Sequence, residues 1–310
     1  MEDTNLKIKD YSLKKIIDKY EYGELLLTIK FSNIFLTKRI KREKLDDDVA
    51  YKNYIRDEIN ILSKISHKNI IKYETALKTK IHYYIIMEYC NGGTLRENLE
   101  KYKIKYGKPF SLKIVQHIVK QLVDVINYIY DNNIIIYDLS LDNINLNYYN
   151  EEAKVNLDIY HSDIKLTNYR NLFDFNHINC YYPTANINII PPYFGFNDVL
   201  RSLCGLCYYL LTDDFLFYEL NSENEYKIST NISLEAVYFF IDMVKYYFSE
   251  SVRAIKSLLN HPFVEKYFGD FTDFNKNIVD NFIKDDYLIL NSGNINEIKS
   301  IIFMKISQNN

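Results

Sequence analysis

Apolar and polar positions first settle into a pattern near residue 22. "YGELLLTIKF" and "SNIFLTKRIKR" are two apolar blocks with a short break at Ser32-Asn33, and this spacing predicts a β-hairpin. In "DDDVAYKNYIRDEINILSKI" the period changes: Tyr54, Ile55, Ile59, Leu62 and Ile65 form a helical stripe behind an acidic start suited to a helix N-terminus. "NIIKYETALKT" and "IHYYIIMEYC" read as two further strands, and "NGG" at Asn91–Gly93 ends the run.

After Gly93 the pattern is helical. "TLRENLEKY" predicts a short helix, and "SLKIVQHIVKQLVDVINYIYDNN" a long amphipathic one that opens on serine and closes on Asn-Asn. "DVLRSLCGLCYYLLTD", "SLEAVYFFIDMVKYYF" and "SVRAIKSLLNHPFVEKYF" are later helical candidates. A strand-rich first third before a helical remainder predicts an α+β chain in two lobes. There is no internal repeat. From about Gly269 the chain turns polar with some helical periodicity, which predicts an extension, a docking segment or a partly disordered tail.

Composition narrows the classes without choosing among them. The chain has 310 residues, 47% hydrophobic and 25% charged, enough for one large domain or two small lobes around a sizeable core. A formal net charge of −3 gives no basis for electrostatic capture of nucleic acid. No apolar run reaches the roughly 18–20 residues of a membrane span. The N-terminal "MEDTNLKIKDYS" lacks a signal-peptide core, so an intracellular, cytoplasmic protein is expected. Thirty tyrosines, no tryptophan and many Ile, Asn and Lys residues point to an AT-rich genome, a bias of codons rather than of mechanism. Of the four cysteines only Cys204 and Cys207 are close, inside the apolar "LCGLCYYLL", which reads as core packing rather than as a redox or zinc pair.

The segments "EINILSKISHKNIIKYE", "YYIIMEYCNGGTL", "IVQHIVKQLVDVINYIYDNNIIIYDLSLDNINLN" and "LLNHPFV" stand in an order that resembles the eukaryotic protein kinases, over roughly residues 15 to 268. The resemblance implies a bilobal kinase fold, with a β-rich N-lobe over residues 1–88, a helical C-lobe over 89–268 and a C-terminal extension over 269–310. It also implies ATP as cofactor and a protein substrate or partner.

Phosphoryl transfer rests on positioning and on neutralising charge. By the resemblance, Lys38 in "IFLTKRI" would grip the nucleotide phosphates and pair with Glu58 in "RDEINIL". Met87 would guard the back of the adenine pocket, and Glu88, Tyr89 and Cys90 would form the hinge that offers backbone hydrogen bonds to adenine. Asp138 would orient and deprotonate the acceptor hydroxyl, and Asn143 would hold Mg²⁺.

Other positions depart from the family pattern. Where three glycines are usual over the phosphates only Gly23 is present, and Leu25, Leu26 and Leu27 follow it. Ile136, Tyr137 and Ser140 replace the histidine, arginine and lysine expected around Asp138. In "IKLTNYRNL" the register puts Asn168 in the place of the metal-binding aspartate, a neutral amide where Mg²⁺ prefers charge. An alternative register through "VNLDIY" puts Asp158 there; in the Asn168 register "KVNLDIYHSDI" is instead an inserted or lengthened hairpin. The activation segment lacks the closing glutamate, Thr184, Tyr181 and Tyr182 are its candidate phosphorylation sites, and Asp198 resembles the aspartate that anchors the catalytic loop.

Residues that hold the fold are thus family-like and residues that handle phosphate and metal are degraded. The reading is a pseudokinase acting as scaffold or allosteric partner, with weak or Mg²⁺-independent ATP binding. The alternatives are an active, divergent serine/threonine kinase and a nucleotide-free interaction module whose pocket is filled by side chains such as Leu25 to Leu27.

Overall fold

The structure is a computed structural model that describes residues 7–136, 139–167, 172–174, 194–214, 217–219, 225–229, 231–249, 257–265, 279–284 and 287–308. Asp138, Asn168 and the candidate phosphorylation sites Tyr181, Tyr182 and Thr184 lie outside these residues, as does the side chain of Asp198.

The N-terminal part is a six-stranded sheet in the order β1-β2-β3-β4-β6-β5. Its strands are β1 (Lys7–Ile8), β2 (Tyr11–Tyr20), β3 (Gly23–Lys30), β4 (Asn33–Lys41), β5 (Tyr73–Lys78) and β6 (His82–Glu88). The hairpin expected around Ser32-Asn33 is β3–β4, closed by Lys30 opposite Asn33. The sequence pattern did not reveal β2 because Lys14, Lys15, Asp18 and Lys19 interrupt its alternation. Those exposed charges suit a strand near a sheet edge, where they discourage pairing with other chains.

Helix α2 (Val49–Lys64) packs beside this sheet. Asp48 caps its start by accepting from the Tyr51 N–H, and Ile55, Glu58, Ile61 and Leu62 form its buried face. Helix α3 (Leu95–Tyr106) opens on a capping box between Thr94 and Glu97 and closes on Gly107 in the left-handed conformation.

The centre of the second part is α4 (Leu112–Asp131), most of whose residues are buried; α6 (Phe194–Thr212) packs against it and also against α7 (Leu234–Ser249). α7 is apolar nearly all round, as a helix in the middle of a core must be, and it buries every residue from Leu234 to Val244. Cys204 and Cys207 are buried in α6, with burial pushing the Cys204 thiol up to about 12.

The helical remainder needs one correction. β11 (Phe217–Glu219), β12 (Glu225–Ser229), β13 (Ile283–Lys284) and β14 (Tyr287–Leu290) form a four-stranded sheet in the order β11-β12-β14-β13. These strands have two to five residues each, too short to show a period. The C-terminal helix Ile295–Gln308 then packs on α7 through buried Ile298, Ile302 and Ile306. The polar tail is therefore built into the helical body.

A buried polar junction joins the two parts. Gln121 of α4 accepts at Oε1 from Asn69 Nδ2 (2.7 Å) and from the Ile164 N–H (3.1 Å). Asn69 also donates to the Ile164 carbonyl at 2.9 Å.

Candidate functional site

Lys38 sits on β4 directly opposite Leu25 of β3 and Ile85 of β6. Paired residues of an antiparallel sheet project to one face. On that face Lys38 Nζ donates to Glu58 Oε1 at 2.5 Å, and the Glu58 side chain is wholly buried. Glu58 reaches the sheet because it falls on the same helical stripe as Ile55, Ile61 and Leu62. Among the described residues its second oxygen, Oε2, has no hydrogen-bond partner.

The same alternation separates the three leucines after Gly23. Leu25 and Leu27 share the face of Lys38, while Leu26 turns the other way and is fully buried within the sheet. A pocket filled by all three is thus ruled out by the pleat.

The β2–β3 turn, expected as the phosphate-covering loop, has its tip fastened to α2. Tyr22 donates its phenol to Asp48 Oδ2 at 2.7 Å and stacks on Tyr51, ring centroids 3.9 Å apart. The Lys41 N–H donates to the Tyr22 carbonyl at 2.8 Å. Gly23 was expected in the cofactor loop; a Cβ there would come within 1.9 Å of the Arg39 carbonyl oxygen, so the close approach of β3 to β4 already requires glycine.

The segment expected to form the hinge leaves the sheet at the end of β6. Met87 is fully buried, and Cys90 is buried with its thiol pushed up to about 12 by desolvation. Glu88 Oε2 accepts from the Lys72 N–H at 3.1 Å and from Lys165 Nζ at 3.0 Å. Beyond the hinge, Asn91 and Tyr148 exchange two hydrogen bonds: Asn91 Nδ2 donates to the Tyr148 carbonyl (2.9 Å) and the Tyr148 N–H to Asn91 Oδ1 (2.8 Å). Gly92 lies so close to β8 (Ile144–Tyr148) that a Cβ would meet the Leu146 carbonyl oxygen at 2.6 Å.

Below the hinge is the segment expected to carry catalysis. Leu139 and Leu141 are buried, and the Asn143 N–H donates to the Ser140 carbonyl at 3.1 Å, closing a turn. Arg96 Nε grips Asp142 through both carboxylate oxygens, at 2.8 and 3.0 Å. Asn143 then leads into β8, which pairs antiparallel with β9 (Ser162–Leu166), Ile144 opposite Leu166 and Tyr148 opposite Ser162. The Thr167 N–H donates to the Asn143 carbonyl at 3.0 Å.

This register places Thr167 beside Asn143. Asp158 stands at the opposite end of the hairpin, past Tyr148, where its Oδ2 meets His161 Nδ1 at 2.7 Å. The alternative that put Asp158 in the metal position fails on that geometry. The segment between the strands is a lengthened hairpin connection with a short helix, α5 (Glu151–Asn156), and a 3₁₀ turn at Ile159–His161. Among the described residues no three His, Cys, Asp or Glu side chains cluster as metal ligands.

Sequence reasoning missed Lys165. It is one residue of the strand "SDIKL", and nothing local marks it; its partner Glu88 is 77 positions away. The Tyr22–Asp48 bond was missed for the same reason. Among the described residues no helix is long and apolar enough to cross a membrane.

The family model that matches this chain is described as a protein kinase domain and covers residues 11–167, just over half of the chain. A probable serine/threonine-protein kinase of Dictyostelium discoideum, fhkC, is 28% identical over 136 residues, 43% of this chain and 22% of that protein. A MAP3K epsilon protein kinase of Arabidopsis thaliana is 31% identical over 136 residues, 43% of this chain and 10% of its own. The mouse (Mus musculus) NUAK family SNF1-like kinase 1 is 30% identical over 142 residues, 45% of this chain and 20% of its own. The chain thus spans less than a quarter of the length of these relatives. The matched region contains strands β2 to β6, the Lys38–Glu58 pair, the segment after β6 and the β8–β9 hairpin up to Thr167: the chain belongs to the protein kinase family.

Proposed function

We propose that this chain is a pseudokinase: a kinase fold that serves a protein partner as scaffold or allosteric element, binds ATP weakly and needs no Mg²⁺ to do so. The observation that carries this reading is the tip of the β2–β3 hairpin. A phosphate-covering loop must bring backbone N–H groups against the nucleotide. Here the turn carries the side chains of Tyr20, Glu21 and Tyr22, and Tyr22 is bonded to Asp48 and stacked on Tyr51. The only glycine, Gly23, is taken up by packing against Arg39. Asn168 in the metal-aspartate place adds a second, independent loss. Losing one well-placed electrostatic group costs about 2–3 orders of magnitude in rate, roughly 2.7–4 kcal/mol. Two such losses leave little transfer activity.

A second reading, an active divergent serine/threonine kinase, draws on the Lys38–Glu58 pair, which is formed as the phosphate-gripping role requires. In that reading Asp138 is the base, and Asn143 and Asn168 face the metal.

Thermal unfolding with ATP, with and without Mg²⁺, separates the readings. Stabilisation by ATP alone, with no phosphate transferred to a protein acceptor in a radiolabel assay, is the result expected of the pseudokinase. Mg²⁺-dependent stabilisation together with transfer abolished by Asp138→Asn gives the active kinase. No stabilisation by ATP under either condition gives a nucleotide-free interaction module.

A further inference from the structure

A row of three large aliphatic side chains crosses the sheet beside the hinge. Leu27 of β3 is paired with Leu36 of β4, and Leu36 with Met87 of β6. The row lies on the face that carries Lys38, because Leu36 and Lys38 are alternate residues of one strand. Met87 is fully buried, while Leu36 and Leu27 remain partly exposed. Leu36 therefore stands between the cation at one end of the cleft and the hinge at the other.

The strand motif of active kinases is V-A-I-K, with alanine two residues before the lysine. Here Phe35-Leu36-Thr37-Lys38 puts leucine at that place. Near the hinge, the β8–β9 hairpin carries Asn145 and Lys165 on one face and buried Ile144, Leu146, Ile164 and Leu166 on the other. Asn145 is paired with Lys165, whose ammonium reaches Glu88 of the hinge. Asn145 Oδ1 accepts from Thr167 Oγ1 at 3.2 Å. A purine ring needs room and apolar contact on both faces. A leucine in the alanine place, paired with Met87, narrows the room beside the hinge.

We propose that Leu36 is the specificity-determining residue of this cleft, excluding a purine base from the hinge end while Lys38 keeps its hold on a polyphosphate. The inference rests on reading the cleft as a nucleotide site, and it explains weak ATP binding by a lost base pocket rather than by a lost metal.

The test uses the full chain and two probes, ATP and inorganic tripolyphosphate, each titrated calorimetrically against wild type, Leu36→Val and Leu36→Ala. Wild type should bind ATP no more tightly than tripolyphosphate. Leu36→Ala should gain about tenfold or more for ATP, the usual scale for relieving an overfilled apolar pocket, with tripolyphosphate unchanged. Leu36→Val should gain less, and it serves alone if the alanine variant loses its circular dichroism spectrum. ATP binding to wild type tenfold more tightly than tripolyphosphate, or no gain in either variant, overturns the proposal. Phosphate transfer by wild type accompanied by the expected gain would remove the pseudokinase reading and leave the role of Leu36 standing.

Discussion

Lys38 Nζ lies 2.5 Å from Glu58 Oε1, and the pair is lopsided: the lysine side chain keeps about a fifth of its surface exposed (21%) and the glutamate none. Removing the lysine strands a buried carboxylate, whereas removing the glutamate frees an amine that can reach water. Lys38→Met should therefore destabilise the fold by about 3–5 kcal/mol, the cost of breaking a buried pair from one side. The double variant Lys38→Met/Glu58→Leu should recover most of that loss. Urea denaturation of the four members of the cycle measures the coupling directly; equal losses in the single and double variants would contradict it.

Asp48 serves two elements at once. It accepts the Tyr51 N–H at the start of α2 and the Tyr22 phenol from the hairpin tip. The Tyr51 bond, with the Tyr22 bond behind it, holds the Asp48 carboxyl below its usual range. A carboxyl with a depressed folded pKa contributes stability above its unfolded value, near ~3.9, and loses it as pH falls through the folded value. Tyr22→Phe removes one of the two donors. Its melting temperature should fall at neutral pH, and its difference from wild type should shrink once the pH drops well below about 4. A constant difference down to strongly acid pH would show that the phenol acts through packing alone.

His261 is buried between Tyr238, Phe239 and the Asp242–Lys299 pair, and burial, with Lys299 behind it, pushes its imidazole down to about 3. Its Nε2 lies 3.7 Å from Asp242 Oδ2, close enough to suggest an ion pair. Lys299 is the group that neutralises Asp242, and a neutral imidazole fits the strong desolvation better. Between pH about 6.5 and about 3 the unfolded chain then holds the extra proton, so this histidine's contribution is complete above about 6.5 and drains away on acidification. Asp242, raised by burial and facing Lys299 and Lys245, opposes this near the acid end. His261→Gln should flatten the fall in unfolding free energy between about pH 6.5 and about pH 4. An unchanged slope would place the titrating group elsewhere.

Gln121 satisfies two buried donors with one oxygen, Asn69 Nδ2 and the Ile164 N–H. Gln121→Met keeps the volume and removes both acceptances. The expected cost is about 1–3 kcal/mol, the desolvation penalty of an orphaned buried donor. It should appear as a lower denaturant midpoint at unchanged slope. Recovery in a Gln121→Glu variant at neutral pH would confirm that the acceptor oxygen is what matters.

The sequence alone determined what is local and periodic. The β3–β4 hairpin, β5, β6, α2 and α4 follow from alternation of two and 3.6, with caps and turn residues marking the ends. The ordered motifs placed the chain among the kinases. The resemblance to the kinases is what paired Lys38 with Glu58 before the fold was known. Tertiary structure alone decided relations between residues distant in sequence. The antiparallel register of β8 and β9 set Thr167 beside Asn143 and carried Asp158 to the far end. The pleat sent Leu26 inward and left Leu25 and Leu27 facing the cleft. Packing against Arg39 claimed Gly23, Lys165 reached Glu88, and a polar tail became a strand and a helix of the core. The physical reason is common to all of these. Period and capping act over a few residues, whereas register, facing and burial exist only once two separate stretches of chain have met.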